Sequence, residues 1–374
     1  MNKTSHHRAL LALLQIPDFG VRRIKTLLDR TAVGDASELF KMKLPDLLRF
    51  DGFGEHIAKN FVQFDEWKKV DSILEKTEKI GADLVSINDE HYPPLLRHIF
   101  DPPVLLWVKG NKEALLSDGI AVVGTRRASK YGLNQAKVWA SKLTAAGLCV
   151  NSGLAYGVDA VSHRAAVESG GKTVAVLGSG IDVIYPSKNS RLAEDIIEND
   201  GAVITEFEPG AAPDAVNFPE RNRIVSGMSH GTLVVESGVK GGSMITARSA
   251  LDQNREVFVI PHPLDSLGGQ GCNYLIRTGQ GKLVQSIDDI LVEISVHTDS
   301  KSQEIEENPK KKWESLELDE ASKEICKLLK NDELHIDQIS EKIEKPTYAL
   351  LPTLLDLEMK GAVKQKAGKY FELC

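Results

Sequence analysis

Residues 121–129 read Ala121-Val122-Val123-Gly124-Thr125-Arg126-Arg127-Ala128-Ser129, an apolar run that stops on a glycine and opens into a polar loop with two arginines. A helical pattern follows over 132–146, then a second apolar run at 148–150 and another glycine-rich loop. The alternation repeats, with apolar runs at 174–177, 203–204, 233–235 and 257–260 and helical segments that include 158–168 and 244–251. Near-continuous apolar strands separated by helices imply a parallel sheet covered on both faces. Residues 79–296 are therefore expected to form a doubly wound α/β domain, with strand-like pieces at 84–87 and 104–108 extending its edge.

On either side the pattern changes. Residues 1–78 read as short helices interrupted twice by a tight turn, at Pro17-Asp18-Phe19-Gly20 and at Phe50-Asp51-Gly52-Phe53-Gly54. Helix, glycine turn, helix resembles the helix-hairpin-helix (SAM-like) module, whose turn exposes backbone N–H groups that suit a phosphate. The first copy carries Asp18 where a glycine is expected, and a carboxylate there repels phosphate. Two ordinary helical turns in an accessory domain are the alternative. Residues 297–315 are polar, with almost no apolar periodicity, and read as a linker. Residues 316–374 show helical patterns at 321–330, 336–343 and 347–360, the last opened by Pro346, then a hairpin pattern around Ala367-Gly368. Three helices and a hairpin resemble a winged helix. The third helix holds Leu350, Leu351, Leu354, Leu355 and Leu357 and one basic residue, Lys360, which suits a protein contact or a structural role better than a major groove.

Over 374 residues, 46 Lys and Arg stand against 53 Asp and Glu, a net charge of −7. That balance excludes a coat of positive charge, so any nucleic acid must be held by basic groups concentrated locally, with little long-range steering. The four cysteines, Cys149, Cys272, Cys326 and Cys374, are far apart and none pairs as C-x-x-C. No metal site is expected, and Cys149 reads as a small buried hydrophobe. The apolar stretch 9–14 is too short to span a membrane, and a cytoplasmic protein is expected.

In an open α/β sheet, ligands bind beyond the carboxyl ends of the strands. Four such ends carry Gly- and Ser-rich loops: 124–129, Asn151-Ser152-Gly153-Leu154-Ala155-Tyr156-Gly157, Gly178-Ser179-Gly180-Ile181-Asp182, and Glu236-Ser237-Gly238-Val239-Lys240-Gly241-Gly242-Ser243. Glycine lets the backbone approach a ligand, and helix N-termini add partial positive charge, so the loops describe an anion cradle. The chain has no G-x-x-x-x-G-K-[ST], and Val183 stands where a dinucleotide fingerprint needs its third glycine. Neither a Walker-type NTPase nor an NAD site is expected, a small nucleotide stays open as the anion, and no cofactor is assigned. The stretch Asn217-Phe218-Pro219-Glu220-Arg221-Asn222-Arg223-Ile224 adds two guanidinium groups for phosphates and an aromatic ring for a base, a combination suited to single-stranded nucleic acid. Either arginine pairing with a carboxylate such as Glu220 or Glu236 is the alternative. Asp159 and His163, four apart on one helix face, read as a local contact in preference to an acid–base pair.

The motifs at 123–127, 152–159, 175–186, 217–224 and 271–276, in this order, resemble the DNA-processing protein A (DprA/Smf) family, and the flanking units match its three-part layout. The resemblance implies a Rossmann-like central domain and a protein that binds single-stranded DNA, protects it during natural transformation and helps load the RecA recombinase. It implies a homodimer formed through the central domain. By motif position Arg126 becomes the main phosphate ligand, in a pocket with Gly124, Ser152, Gly153, Phe218, Arg221, Asn222, Arg223, Gly241, Gly242 and Ser243, with Arg127 and Lys240 as auxiliary charges. Leu275 and Ile276 are assigned to the dimer interface. No catalytic residue is expected. The alternative is a phosphoribohydrolase-like nucleotide enzyme, since 236–243 also resembles the Gly-Gly loops of that group. The glutamate expected to follow the loop is missing, because no Glu occurs before Glu256.

Overall fold

The apolar runs named above between residues 84 and 260 all supply strands of a single nine-stranded sheet. The computed structural model describes residues 3–31, 33–294, 313, 318–330, 333–366 and 370–373. Its strands are β1 (Asp83–Ser86), β2 (Leu105–Gly110), β3 (Gly119–Gly124), β4 (Cys149–Ser152), β5 (Thr173–Val176), β6 (Ala202–Thr205), β7 (Gly231–Glu236), β8 (Glu256–Val259) and β9 (Lys282–Leu283). The order across the sheet is β1-β2-β6-β5-β4-β3-β7-β8-β9. Strands β3 to β9 pair in parallel, and the β1–β2 ribbon joins antiparallel through β2 and β6. From β3 the chain winds outward through β4, β5 and β6 on one side, then returns to place β7 on the other. This reversal leaves a crevice beyond the carboxyl ends of β3 and β7.

The helices of this part are α1 (Lys3–Gln15), α2 (Val21–Thr31), α3 (Leu44–Leu47), α4 (Glu55–Val62), α5 (Trp67–Lys79), α6 (Lys130–Ala145), α7 (Val158–Glu168), α8 (Ser190–Glu198), α9 (Asn217–Gly227), α10 (Gly242–Asp252), α11 (Gln270–Arg277) and α12 (Asp288–Ile294). Side chains alternate across a strand, and β3 shows the consequence. Ile120 and Val122 pack with Trp139 and Leu143 of α6 and with Ile290 of α12. Ala121 and Val123 belong to the opposite core, with Ile224 of α9 and Met244 of α10. Both faces being covered explains why the strands are apolar without a polar alternate.

The second core continues into the N-terminal helices: Leu10, Leu11 and Leu13 of α1 and Ile24 of α2 belong to the same cluster as the strands. On the sheet edge, the buried Trp107 of β2 donates from Nε1 to Thr77 Oγ1 of α5 at 2.9 Å. The two helix–turn–helix copies are tied to each other. Gly52 and Asp18 both take left-handed backbone angles, φ 84° and 62°, so Asp18 does occupy the glycine-like turn position. Arg23 donates to the carbonyl oxygens of Asp18 and Gly52, at 2.8 and 3.0 Å.

Contacts divide the chain into two compact units, Met1–Ser300 and Lys301–Cys374. The second contains α13 (Glu320–Leu328), β10 (Leu334–His335), α14 (Ile336–Ile343), α15 (Thr347–Met359), β11 (Val363–Lys366) and β12 (Tyr370–Leu373). Three helices with the small antiparallel sheet β10-β12-β11 make a winged helix. The leucines of α15 divide: Leu350, Leu354 and Leu357 are core, whereas Leu351 and Leu355 are exposed. The linker expected over 297–315 lies outside the described residues apart from Trp313, as does the hairpin tip Ala367-Gly368. No helix among the described residues is long and apolar enough to cross a membrane.

Thr77→Val keeps the shape of the side chain but strands a buried indole N–H. It is expected to cost about 1–3 kcal/mol, read from the urea midpoint. An unchanged midpoint would mean that the Trp107 bond contributes nothing to joining α5 to the sheet.

Candidate functional site

The backbone at the crevice is shaped by a bulge. The β3–β7 register shifts between Val123 and Gly124, and Thr125 N–H then donates to Glu236 O at 2.8 Å. Beyond it, Glu236, buried at the end of β7, accepts from the amide and hydroxyl of Ser129, the N-cap of α6. Those bonds fix both ends of the loop that carries Arg126 and Arg127, and both arginines remain exposed. The loop also rests on Gly157, whose φ is +77° and where a Cβ would meet Thr125 O at 2.3 Å. Glycine is required there by backbone angle and by space.

Segment 217–227 is a helix, α9, with Pro219 in the first turn, where a missing N–H costs nothing. Its first turn brings Phe218 to the crevice. The Arg126 guanidinium lies over the Phe218 ring at 5.3 Å from the centroid. Tyr185, on the loop after β5, is 44% exposed and its ring lies 5.6 Å from that of Phe218. One turn on from Phe218, Arg221 enters the protein and is only 4% exposed. Its Nη1 donates to the carbonyl of Val176 at the end of β5. Asp159 of α7 stabilises its charge, while burial and the nearby Arg126 push its pKa down to about 10, so it stays cationic near neutrality.

Asp159 has a second task. Its Oδ2 accepts from the amides of Gly153 and Ala155, at 3.2 and 3.4 Å, and so holds the loop after β4. Burial raises its pKa, and Arg221 and the two amides oppose that shift. His163 does not join it. The imidazole Nδ1 instead pairs with Thr173 Oγ1 at 2.7 Å, and burial, with Arg221 adding, pushes its pKa down to about 3, which keeps the ring neutral. The pair is therefore a structural contact set, not an acid–base couple.

Together these loops enclose a cavity of about 700 Å³. Gly124, Arg126, Arg127, Gly153, Phe218, Arg221, Asn222, Gly241, Gly242 and Ser243 all line it. The N-terminus of α10, formed by Gly242 and Ser243, contributes amides with no acceptor inside their own helix. Three expectations need correction. Ser152 is fully buried and its hydroxyl donates to Val122 O at 2.7 Å, so it braces β4 against β3 instead of lining the cavity. Arg223, two residues past Arg221, points the other way on α9 and is held by Glu206 and Asp101, neither of them the carboxylate anticipated. Lys240, expected only as an auxiliary charge, is exposed next to the lining residue Gly241 and is not itself part of the lining. Leu275 is a core residue at 0% exposure and Ile276 packs against the same core, so an interface assignment fails for Leu275.

Tyr185 and Asp159 are the lining residues whose role there the sequence did not reveal. An aromatic within a strand-end loop was the available signal for Tyr185. For Asp159 the signal was its place in the first turn of α7, four and six residues after the loop amides it accepts from.

A family model described as DNA recombination-mediator protein A matches residues 83–295, and one for the DprA winged helix domain matches 309–369. Protein Smf of Escherichia coli is 36% identical over 321 residues, 84% of each chain. The X-ray structure of DNA processing protein A from Streptococcus pneumoniae superposes with a TM-score of 0.67 at 34% identity, covering 79% of this chain and 100% of that one. DNA processing protein A from Helicobacter pylori, solved to describe its single-stranded DNA binding mode, gives 0.52 at 27% identity, over 57% of this chain and 96% of that one.

Gly153→Ala would put a Cβ 2.3 Å from Arg221 Nη1. Displacing a buried guanidinium is expected to cost about 1–3 kcal/mol, checked by thermal or urea unfolding; wild-type stability would show that the arginine can move freely. His163 gives a pH signature. Its folded pKa of about 3 lies below the ordinary 6.5, so its contribution is complete above 6.5 and is lost as pH falls towards 3. His163→Gln should flatten the stability–pH curve in that window by up to about 1.4 kcal/mol per pH unit. Parallel curves for the two proteins would contradict a neutral, buried imidazole.

Proposed function

This chain belongs to the DNA recombination-mediator protein A family, and on that premise we propose that it binds single-stranded DNA as a recombination mediator, without breaking a bond. One observation carries the reading: Arg126 lies across the Phe218 ring at the mouth of a cavity floored by Arg221 and by the α10 N-terminus. Phosphate goes to guanidinium and amide groups, and a base goes to the rings. Backbone amides and stacking rings are indifferent to base identity, so the grip is general across sequences.

The same residues support binding without bond cleavage. Asp159 is the one carboxylate among the described lining residues, and two backbone amides occupy its Oδ2. It positions a loop and has no substrate proton to move. A nucleotide hydrolase would need a carboxylate directed into the cavity.

The wider role includes protecting incoming strands, loading RecA onto them and acting as a homodimer through the α/β region. Leu264 and Leu267, 91% and 77% exposed on the loop between β8 and α11, support the dimer better than the buried Leu275 does. Arg127 and Lys240 extend the positive field beside the cavity.

Arg126→Ala is expected to weaken binding of every single-stranded oligonucleotide alike and to reduce the log K–log salt slope by about 0.7, in filter binding at two salt concentrations. Arg223→Ala is the counterpart: it leaves Glu206 and Asp101 unpaired and lowers stability, while the folded protein keeps its DNA affinity. Unchanged affinity in Arg126→Ala would remove the cavity from the function.

A further inference from the structure

The contact groups do not form a track. They converge in one concavity of about 700 Å³, a size typical of sites that enclose a single small ligand. It has two chemically distinct ends. At one end are the Gly242 and Ser243 amides at the start of an eleven-residue helix. Arg221 faces the same space; it is 96% buried by complement of its 4% exposure, and its Nε has no hydrogen-bond partner among the described residues. A buried guanidinium whose N–H groups are only partly paired favours an anion placed against it. At the other end is a narrow slot lined by Tyr156, Tyr185, Pro186 and Phe218. Arg126 and Arg221 border both ends.

We propose that this cavity is a complete binding unit for one free nucleotide, so that nucleoside 5′-monophosphates occupy it and compete with single-stranded DNA. The proposal rests on the reading given under Proposed function. A continuous strand brings additional phosphates and the counterion release that goes with them, but neither end of this cavity needs a neighbouring residue of the strand to be filled. The anion satisfies the α10 amides and sits against the Arg221 and Arg126 guanidinium groups. The base stacks on the exposed Tyr185 ring, which Phe218 backs from 5.6 Å. Occupancy by mononucleotides would make DNA binding sensitive to the local nucleotide pool without a second site.

The experiment is competition against a labelled oligothymidylate, read by fluorescence anisotropy at matched ionic strength. Thymidine 5′-monophosphate, inorganic phosphate and thymidine are titrated separately, and direct binding of the monophosphate is measured by calorimetry without DNA. The monophosphate should displace the oligonucleotide at about 1 mM, and phosphate and thymidine should need at least about tenfold more. Tyr185→Ala, checked for an unchanged urea midpoint, should raise the half-displacing monophosphate concentration about tenfold and leave the phosphate curve where it was. The proposal is overturned if the oligonucleotide binds but about 10 mM monophosphate neither displaces it nor gives a calorimetric signal. Equal potency of phosphate and monophosphate also overturns it, because the cavity is then a bare anion hole. An oligonucleotide that fails to bind while the monophosphate does bind would sink the DNA reading and leave the nucleotide site standing.

Discussion

A guanidinium lies where a doubly wound sheet ordinarily keeps only apolar side chains. Arg221 leaves α9, passes beneath the loop after β4 and ends against the last carbonyl of β5, with Asp159 of α7 facing it. Three stretches distant in sequence, α9, the end of β5 and the β4–α7 connection with Asp159, are thereby brought to one point. Burying a cation is expensive unless partners compensate it, and here a carboxylate and a carbonyl do. Gly153 follows from this constraint, since any side chain there would collide with the guanidinium. So does the commitment of Asp159, which must hold the loop as well as face the charge. The open rim of the cavity, with Arg126 and the two rings, is built on that buried floor.

The sheet order supplies the rest of the geometry. Because the chain winds out from β3 in one direction and resumes at β7 in the other, the loops after those two strands diverge and leave a gap. The bulge at Gly124 and the bonds from Ser129 to Glu236 set the width of one wall. The other wall is α9, whose Pro219 lets the first turn carry an aromatic to the mouth without an unsatisfied amide. Placement is thus a property of topology, whereas affinity depends on a few side chains.

Much of this was legible before any coordinates. Eight of the nine strands lie on apolar runs in the sequence, because strands covered on both faces need no polar alternate. Strand β9 escaped notice because two residues, both exposed, leave no hydrophobic trace. At the site, Gly-rich strand ends marked the cradle, since backbone approach requires glycine whatever the context. Direction on a helix was less legible. Arg221 and Arg223 are two apart on α9, roughly 200° around the axis, so only one of them can face the cavity. The motif alone does not say which. Leu275 failed for a related reason: an apolar residue late in a domain can be surface or core, and only the packing of α11 decides. Tyr185 lies on a loop with no periodicity, so only the folded chain brings it beside Phe218.

The phosphate end of the cavity is made mostly of main chain, and that limits how the protein can diverge. Amides at the start of α10 are the same whichever side chains follow, so mutation can barely retune them. Inherited variation in ligand preference must therefore pass through the rim, where one guanidinium and two rings are free to be exchanged. A lineage could alter stacking or charge there in a single step while the floor stayed under strict purifying selection. Such a protein should show a nearly frozen backbone signature surrounded by a small set of adaptable positions.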